Sequence, residues 1–253
     1  MLSSERDDYK RAELYMSLSL SYFKLGDFER GEKYLQKSNN IRAKLKDKRG
    51  ILLNYARLPS IFISKRDFKR VIGICNEALK VEPNLVEFYI IRGYAYVKLN
   101  EHERALEDFS KAIALNPAFA EAYSNRGIAY SEIHRYEESA RDLKKAGILF
   151  LRSGREEDAV KAFYICFKLR DKIENDDIVY CGLALLLLTS DAGVMNELKG
   201  MRIRDENLRR ILELTMRKLR KEDISEEMAV LVGEGEARGD DASIRTAEEI
   251  LRK

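Results

Sequence analysis

The sequence contains no tryptophan and few of the residues that build loops, disulfides or most active sites. Its 253 residues include 2 His, 3 Cys, 3 Pro and 14 Gly. So little proline and glycine leaves scant room for long loops or for a sandwich of short strands. With 45% hydrophobic and 35% charged residues, the chain can bury a continuous core, and its composition predicts a protein that is nearly all helix.

The cysteines and histidines are too scattered to form a reactive site. Cys75, Cys166 and Cys181 are odd in number and lie in apolar surroundings, which predicts buried thiols in a reducing compartment. His102 and His134 fall in predicted turns and belong to no nucleophile motif or zinc ligand set. The sequence therefore predicts a protein that is not an enzyme and uses no metal or cofactor.

Net charge and hydropathy limit the classes of protein to which the chain can belong. Forty-six basic and 43 acidic side chains give a net charge of +3, too small to indicate nucleic acid binding by itself. The longest apolar run, residues 178–188, is shorter than the ~20 residues that span a bilayer. Residues 1–11 are charged and do not resemble a signal peptide. We therefore expect a cytoplasmic protein without a membrane span, and its oligomeric state stays open.

The polar residues are biased as well. Lys, Arg and Glu are abundant, whereas Gln36 is the only glutamine. This bias is typical of thermophilic proteins, and it predicts a melting temperature above about 60 °C.

Two consecutive 34-residue repeats, residues 86–119 and 120–153, dominate the sequence. Each has an aromatic residue at position 4, glycine at position 8 and tyrosine at position 11: Tyr89, Gly93, Tyr96, then Tyr123, Gly127, Tyr130. This pattern resembles the tetratricopeptide repeat (TPR), a hairpin of two antiparallel helices. The resemblance implies an all-α fold, a right-handed superhelix (α-solenoid) of stacked hairpins, and a function in binding another protein.

The same frame extends towards the N-terminus. Residues 52–85 form one more repeat, and residues 12–45 form another if residues 46–51 are an insertion. We number these four repeats 1 to 4 in chain order, and we expect the insertion to lengthen the second helix of repeat 1 and its loop. Pro59 stands at position 8 of repeat 2, inside a predicted helix, where proline removes a hydrogen bond. We therefore expect a kink at Leu58–Pro59.

Small residues recur at positions 8, 20 and 27, which predicts close contact between the two helices of each hairpin. In repeats 3 and 4 these residues are Gly93, Ala105, Ala112, Gly127, Ser139 and Ala146. The aromatic residues at positions 4 and 11 are then expected to fill the core around that contact rather than to stack on nucleic acid bases. They are Tyr89, Tyr96, Tyr123 and Tyr130.

The regular frame ends at residue 153. A second-helix pattern recurs in residues 154–173, so the helix predicted over residues 136–152 either serves two hairpins or is followed by a degenerate fifth repeat. Residues 174–253 are predicted to form a helical region that caps the C-terminal end of the solenoid. Its helices are expected over residues 177–189, 191–199 (with Ser190 as N-cap), 205–220, 225–236 and 241–252.

The resemblance also implies where a partner would bind, since certain positions of the first helix line the concave face of TPR domains. Carried onto this sequence, the groove comprises Met16, Leu20, Arg57, Ile90, Ile91, Tyr94, Asn125 and Ile128. Its isoleucines and Tyr94 would form an apolar patch for an amphipathic helix or an extended apolar segment of a partner protein. Alternatively, the C-terminal helices or tighter superhelical packing cover this patch.

Asn125 raises a narrower alternative. In chaperone-binding TPR domains, which residues 123–126 resemble, an asparagine at this position binds the C-terminal carboxylate of a peptide. A lysine and an asparagine of the preceding repeat complete that clamp. Here those two positions hold Ile90 and Tyr94, so the carboxylate clamp is incomplete.

The predicted helix over residues 205–220 offers a second surface. Its basic side chains lie away from an apolar stripe: Arg209, Arg210, Arg217, Arg220 and the adjacent Lys221. They either bind an acidic protein, RNA or another anionic surface, or form the solvated face of a capping helix. Nucleic acid binding is thus the alternative to the main prediction, a non-enzymatic scaffold that binds a peptide or helix of a partner protein.

Overall fold

The computed structural model describes residues 3–173, 175–189, 191–201, 203 and 206–219, and these residues contain helices and no strand. In chain order the helices are α1 (Ser3–Leu25), α2 (Phe28–Lys44), α3 (Lys48–Ala56), α4 (Pro59–Ser64), α5 (Phe68–Val81), α6 (Val86–Lys98), α7 (His102–Leu115), α8 (Ala120–Glu132), α9 (Tyr136–Arg152), α10 (Glu156–Phe167) with a 3₁₀ turn at Lys168–Asp171, α11 (Asp176–Thr189), α12 (Ala192–Gly200) and α13 (Glu206–Leu219). The predicted all-α class is confirmed. The helices predicted over residues 225–236 and 241–252 lie outside the described residues.

The chain forms two compact units, Met1–Pro117 and Ala118–Lys253. In the N-terminal unit α1 packs on α2, α3 and α4 pack on α5, and α6 packs on α7, each as a hairpin. Each first helix ends in a turn with a residue of positive φ at position 15: Gly26 (86°), Arg66 (58°) and Asn100 (59°). In repeats 1 and 2 the next residue, Asp27 or Asp67, caps the second helix by accepting a hydrogen bond from a backbone N–H.

Glycine at position 8 brings the two helices of a hairpin into contact. A Cβ built on Gly93 would lie 2.6 Å from the ring of Phe109, and one on Gly127 would lie 2.9 Å from Leu143. A larger residue would have to displace those side chains. The small residues at positions 20 and 27 are buried as well: Ala105, Ala112, Ser139 and Ala146. The close contact predicted from the small residues is therefore confirmed.

The tyrosines at position 11 differ in burial. Tyr96 is buried, as predicted, with 4% of its surface exposed, whereas Tyr130 is only half-buried. At position 4, Tyr89 and Tyr123 are also half-buried and pack against the core. A guanidinium group lies over each ring: that of Arg104 is 4.2 Å from the centroid of Tyr96, and that of Arg135 is 4.6 Å from the centroid of Tyr130. Cation–π contact with a charged side chain thus replaces part of the core packing expected for Tyr130.

Pro59 divides the first helix of repeat 2. α3 ends at Ala56, and α4 begins with Pro59 as its first residue. Proline is tolerated there because the first N–H of a helix has no partner within the helix. Leu58 and Phe62, on either side of the interruption, are both buried in the core. The predicted kink is therefore a break between two short helices.

The insertion at residues 46–51 has a different local structure from the one that we expected. α2 ends at Lys44, before the insertion, and Lys46 takes a positive φ of 55° in the turn that follows. Asp47 then caps α3 by accepting a hydrogen bond from the N–H of Gly50. Because this aspartate starts a new helix, the insertion forms a turn and the first residues of α3, and it does not lengthen α2.

In the C-terminal unit α9 belongs to two hairpins. It packs on α8 as the second helix of repeat 4 and on α10 as the first helix of a further hairpin. A Cβ built on Gly147 would approach the ring of Phe163 to 2.3 Å, so this glycine has the role of position 8. Gly154, with φ 73°, supplies the turn at position 15. Repeat 5 therefore covers residues 140–173 and overlaps repeat 4. Of the two arrangements considered from the sequence, this is the one in which a single helix serves two hairpins.

The remaining helices extend the core of this unit. α11 packs against both α9 and α10 and is buried from Ile178 to Leu186. The N-cap of α12 is Asp191, whose carboxylate accepts hydrogen bonds from two backbone N–H groups. It takes the place predicted for Ser190, which lies outside the described residues. None of the described helices combines the length and the apolar character that crossing a membrane requires.

Candidate functional site

The groove residues predicted on α6 share one half-exposed surface, which we call the α6 face (Ile90, Ile91 and Tyr94). Ile91 and Tyr94 pack against the core of the N-terminal unit. The ring of Tyr94 meets the edge of Phe68 at 6.3 Å between centroids, and the Nζ of Lys98 lies 5.3 Å from the Tyr94 centroid. The core holds this tyrosine from one side and leaves part of the apolar surface in contact with solvent.

Repeat 1 supplies less of the groove than the resemblance implied. Met16 is 0% exposed and belongs to the same core as Leu58 and Phe62. Leu20 is half-buried and packs against that core. The prediction for Met16 is therefore wrong, because burial in the core stabilises this long apolar side chain and removes it from any partner.

Arg57 is held by an ion-pair network within the N-terminal unit. Its Nη1 lies 3.2 Å from Oε2 of Glu13, and the other oxygen of that carboxylate pairs with Arg42. The Arg42 side chain is only 5% exposed and also pairs with Asp47 at 2.5 Å. Arg57, whose side chain is 37% exposed, could bind a carboxylate of a partner only in competition with Glu13.

In the C-terminal unit α8 carries Asn125 and Ile128. Both are half-buried, and Ile128 packs against the core of this unit. The neighbouring Arg126 is directed to Asp142, with Nε and Oδ2 2.6 Å apart. Arg126 is therefore already engaged beside Asn125, and the site gains no help from it in binding a peptide carboxylate.

Arginine–aspartate pairs that we did not predict join the two helices of repeats 3 and 4. Arg92 donates from Nε and Nη2 to the carboxylate of Asp108 at 2.8 and 2.6 Å. Arg126 holds Asp142 in the same way at 2.6 and 3.0 Å. Removal from water raises the pKa of Asp108, and the hydrogen bonds from Arg92 oppose that rise. Arg92 also donates to Oδ1 of Asn76 at 2.6 Å, so each of its three guanidinium nitrogens has an internal partner.

The sequence carries a signal for these pairs. Arginine at position 7 and aspartate at position 23 recur one period apart in repeats 3 and 4. The same two positions hold Leu58 and Ile74 in repeat 2, and Leu18 and Tyr34 in repeat 1. Charged residues of an amphipathic helix normally lie on its solvated face, so this recurrence does not by itself predict a buried ion pair.

The structure describes only part of the basic surface predicted on residues 205–221. Arg209 donates from Nη2 to the carbonyl of Ile203 at 2.8 Å, and Arg210 is half-buried. The other predicted side chains lie outside the described part of the chain: Arg217, Arg220 and Lys221. On the opposite side α13 is buried in the core: Ile211, Leu212 and Leu214. One of the guanidinium groups predicted to meet an anion is thus bound to the backbone.

The thiols are buried, as predicted, and none is in a disulfide: Cys75, Cys166 and Cys181. Burial raises the pKa of Cys75 to about 12 and also raises that of Cys181, which makes these thiols poor nucleophiles at neutral pH. The Nδ1 of His134 lies 2.6 Å from the hydroxyl of Tyr136. Among the described residues, no three or more His, Cys, Asp or Glu side chains are grouped to hold a metal ion.

The recurring hairpins, position 8 glycines and position 15 turns define the class of protein: an α-helical repeat protein. The family profile described as tetratricopeptide repeat matches residues 12–45, and the profile described as TPR repeat matches residues 93–133. The chain therefore contains tetratricopeptide repeats, as its resemblance implied. The first match coincides with repeat 1, and the second spans parts of repeats 3 and 4.

Several solved structures of TPR proteins are similar to this chain. YrrB, a TPR protein with an unusual peptide-binding site, is 14% identical over 74% of this chain and 91% of its own, with a TM-score of 0.48. The TPR2B domain of yeast Sti1, in complex with pHsp70, is 20% identical over 48% and 98%, with a TM-score of 0.46. MamA from Desulfovibrio magneticus is 20% identical over 65% and 98%, with a TM-score of 0.43. Comparison with curated proteins gives no significant match.

Proposed function

We propose that this protein is a non-enzymatic scaffold that binds a segment of a partner protein on the first helices of its repeats. The observation that carries the proposal is the α6 face, where apolar side chains of a repeat protein remain half-exposed. Contiguous exposed apolar surface is unfavourable in water and marks interaction sites. Stacked helical repeats also act through such extended surfaces.

The chemistry of the α6 face favours an apolar segment over a charged peptide end. Ile90 and Ile91 have no hydrogen-bonding side chain, and Tyr94 adds a single hydroxyl. Each large apolar side chain that a partner buries there contributes roughly 1.5–3 kcal/mol. An amphipathic helix with anchors on one side, or an extended apolar segment, would supply such side chains. An acidic residue at one end could pair with Lys98, which lies beside the Tyr94 ring.

We infer a similar contribution from α8 in the C-terminal unit. Ile128 would add apolar surface, and the amide of Asn125 could bond to the backbone of the partner. Because Arg126 is paired with Asp142, this mode of binding does not depend on a carboxylate clamp. Amidation of the C-terminus of a bound peptide should therefore leave its affinity unchanged.

Selection of peptides from a random display library tests the α6 face. Selected peptides would be synthesised and titrated onto wild-type protein and onto an Ile90→Ser variant by fluorescence anisotropy. Ile113→Ser is the matched control, since Ile113 is also a half-buried isoleucine of repeat 3 but lies on α7. We expect Ile90→Ser to weaken binding about tenfold, or about 1.4 kcal/mol, and the control to have little effect. Equal affinity for both variants would remove the α6 face from the proposal.

A further inference from the structure

Two of the three cysteines lie where α10 packs on α11. Cys166 is in the last turn of α10, and Cys181 is in the second turn of α11. Both residues are 0% exposed and belong to the core of the C-terminal unit. They are 15 residues apart in the sequence, and the chain between them turns through the 3₁₀ segment that follows α10. The fold therefore brings together two thiols that take no part in the binding surfaces described above.

The thiol of Cys166 contacts the backbone of two neighbouring helices. Its Sγ lies 3.6 Å from the carbonyl oxygen of Ala140 in α9 and 3.8 Å from that of Asp177 in α11. Cys181 follows Asp177 by four residues, so helical geometry directs its N–H to the same carbonyl oxygen. Residues four apart also lie on one side of a helix. The Sγ of Cys166 is thus beside the turn of α11 that carries Cys181.

A glycine brings the two helices close together at the same place. Gly182 follows Cys181, and a Cβ built on it would lie 2.6 Å from the ring of Phe167, the residue after Cys166. A larger residue there would have to displace that ring. Along α11, Cys181 lies between Asp177 and Gly182, which both contact α10. Cys181 is therefore held at the point where α10 and α11 approach each other closely.

The two thiols also interact with each other. Burial raises the pKa of Cys181, and a hydrogen bond with the thiol of Cys166 raises it further. Cys75 differs in this respect, because it belongs to the core of the N-terminal unit and is the only cysteine of that unit. The chain thus contains one pair of neighbouring thiols and one isolated thiol, which serves as an internal control.

We propose that Cys166 and Cys181 form a disulfide within the chain when a small-molecule disulfide acts as the oxidant. The thiolate of one cysteine attacks the oxidant, which gives a mixed disulfide and releases one thiolate. The thiolate of the other cysteine then attacks the mixed disulfide and releases the second thiolate. Two protein thiols are oxidised, the oxidant is reduced to two thiols, and the two protons pass to the released thiolates. α10 and α11 are then joined covalently.

Burial makes the first step slow and the second step fast. Because both thiols are buried and largely protonated at neutral pH, the first attack requires a local opening that separates α11 from α10. When α11 packs again, the second thiol is held next to the mixed disulfide, so that step is intramolecular. The resulting cross-link restricts the unfolded chain. Oxidation should therefore stabilise the C-terminal unit, independently of the partner-binding function proposed above.

Controlled oxidation of the full chain tests the pair. The protein is incubated with 2-hydroxyethyl disulfide just below its melting temperature, unfolded, alkylated with iodoacetamide and analysed by mass spectrometry. We expect wild-type protein to stay monomeric and to lose two of its three thiols, with a proteolytic fragment that links Cys166 to Cys181. The melting temperature should rise by about 5–10 °C on oxidation, and dithiothreitol should reverse that rise.

Three alanine variants provide matched controls, and circular dichroism checks that each of them is folded. Cys75→Ala keeps the pair, so it should form the cross-link as wild-type protein does. Cys166→Ala and Cys181→Ala each keep one member of the pair, so they should show neither a cross-link nor a rise in melting temperature. The same rise in either of these two variants would mean that oxidation stabilises the chain by another route, and it would overturn the proposal.

Three further results would also overturn it. The first is a disulfide that includes Cys75 or joins two chains. The second is wild-type protein that carries mixed disulfides with the reagent but no link between Cys166 and Cys181. The third is a full set of free thiols after the amides of α11 have exchanged with solvent, since that exchange shows that the helix has opened.

Discussion

Replacing Asp108 by alanine should leave the guanidinium of Arg92 without its bidentate partner. The two side chains are 19% exposed for Arg92 and 7% exposed for Asp108, so water can replace the carboxylate only in part. Removing one partner of a buried ion pair costs about 3–5 kcal/mol. Since Arg92 is partly exposed and keeps its hydrogen bond to Asn76, we expect a loss near the lower end, about 3 kcal/mol.

The chain itself indicates a compensating change. At the same two positions repeat 2 has the apolar residues Leu58 and Ile74; Leu58 is buried in the core of the N-terminal unit, and Ile74 packs against that core. The double variant Arg92→Leu, Asp108→Ile should recover most of the stability lost in Asp108→Ala, because well-packed apolar replacements of a buried ion pair are often neutral or stabilising. With Arg92→Leu and Asp108→Ile as the two single variants, the coupling energy of the double-mutant cycle should then be about 2 kcal/mol or more.

Urea denaturation followed by far-UV circular dichroism measures these changes, since the chain has no tryptophan to report on unfolding. Hydrogen exchange of the amides in α6 and α7 assigns the loss to repeat 3, because parts of a repeat protein can open separately. A loss below about 1 kcal/mol in Asp108→Ala, or a double variant as unstable as the two single changes added together, would refute this account of the pair.

Other parts of the structure give three shorter predictions. Gly93→Ala should destabilise the protein by about 1–3 kcal/mol in thermal unfolding, because the new methyl group would overlap the Phe109 ring; a stabilised variant would contradict that contact. The pKa of Cys75 is about 12, against 9.0 for a free thiol. Its contribution to stability is therefore complete below pH 9 and is lost as the pH rises towards 12, about 4 kcal/mol in all. Cys75→Ala should flatten this part of the curve of stability against pH, and an unchanged slope would show that the thiol is not buried. The melting temperature should exceed about 60 °C, and a lower value would argue against a thermophilic origin.

The 34-residue frame predicted the hairpin contacts because short-range geometry fixes them. Position 8 must be small wherever a side chain of the second helix crosses it, and Gly93 and Gly127 are both in that situation. The predicted helix over residues 136–152 coincides with α9 for the same reason, since its turn and its first residues follow the frame. Features that depend on one hairpin alone could therefore be predicted from the sequence.

Met16 shows why the groove residues could be predicted less well than the hairpin contacts. It occupies position 5 of its repeat, as Ile90 does in repeat 3, yet Met16 is fully buried and Ile90 is half-exposed. Burial at this position depends on the neighbouring repeat, and repeat 2 has a first helix broken at Pro59 with Leu58 and Phe62 in the core. Such tertiary packing is not encoded in the frame of repeat 1 itself.

The shared helix α9 explains both the loss of the frame after residue 153 and the extent of the proposed binding surface. The frame of repeat 5 begins inside repeat 4, so a search for consecutive repeats cannot find it. α9 is the second helix of repeat 4 and also the first helix of repeat 5, so the order of first and second helices changes there. The next helix, α11, packs on both α9 and α10. α11 is buried from Ile178 to Leu186 and cannot offer a half-exposed apolar face like that of α6. In the C-terminal unit a partner bound on first helices would therefore meet Asn125 and Ile128 on α8 but find no continuation on α11.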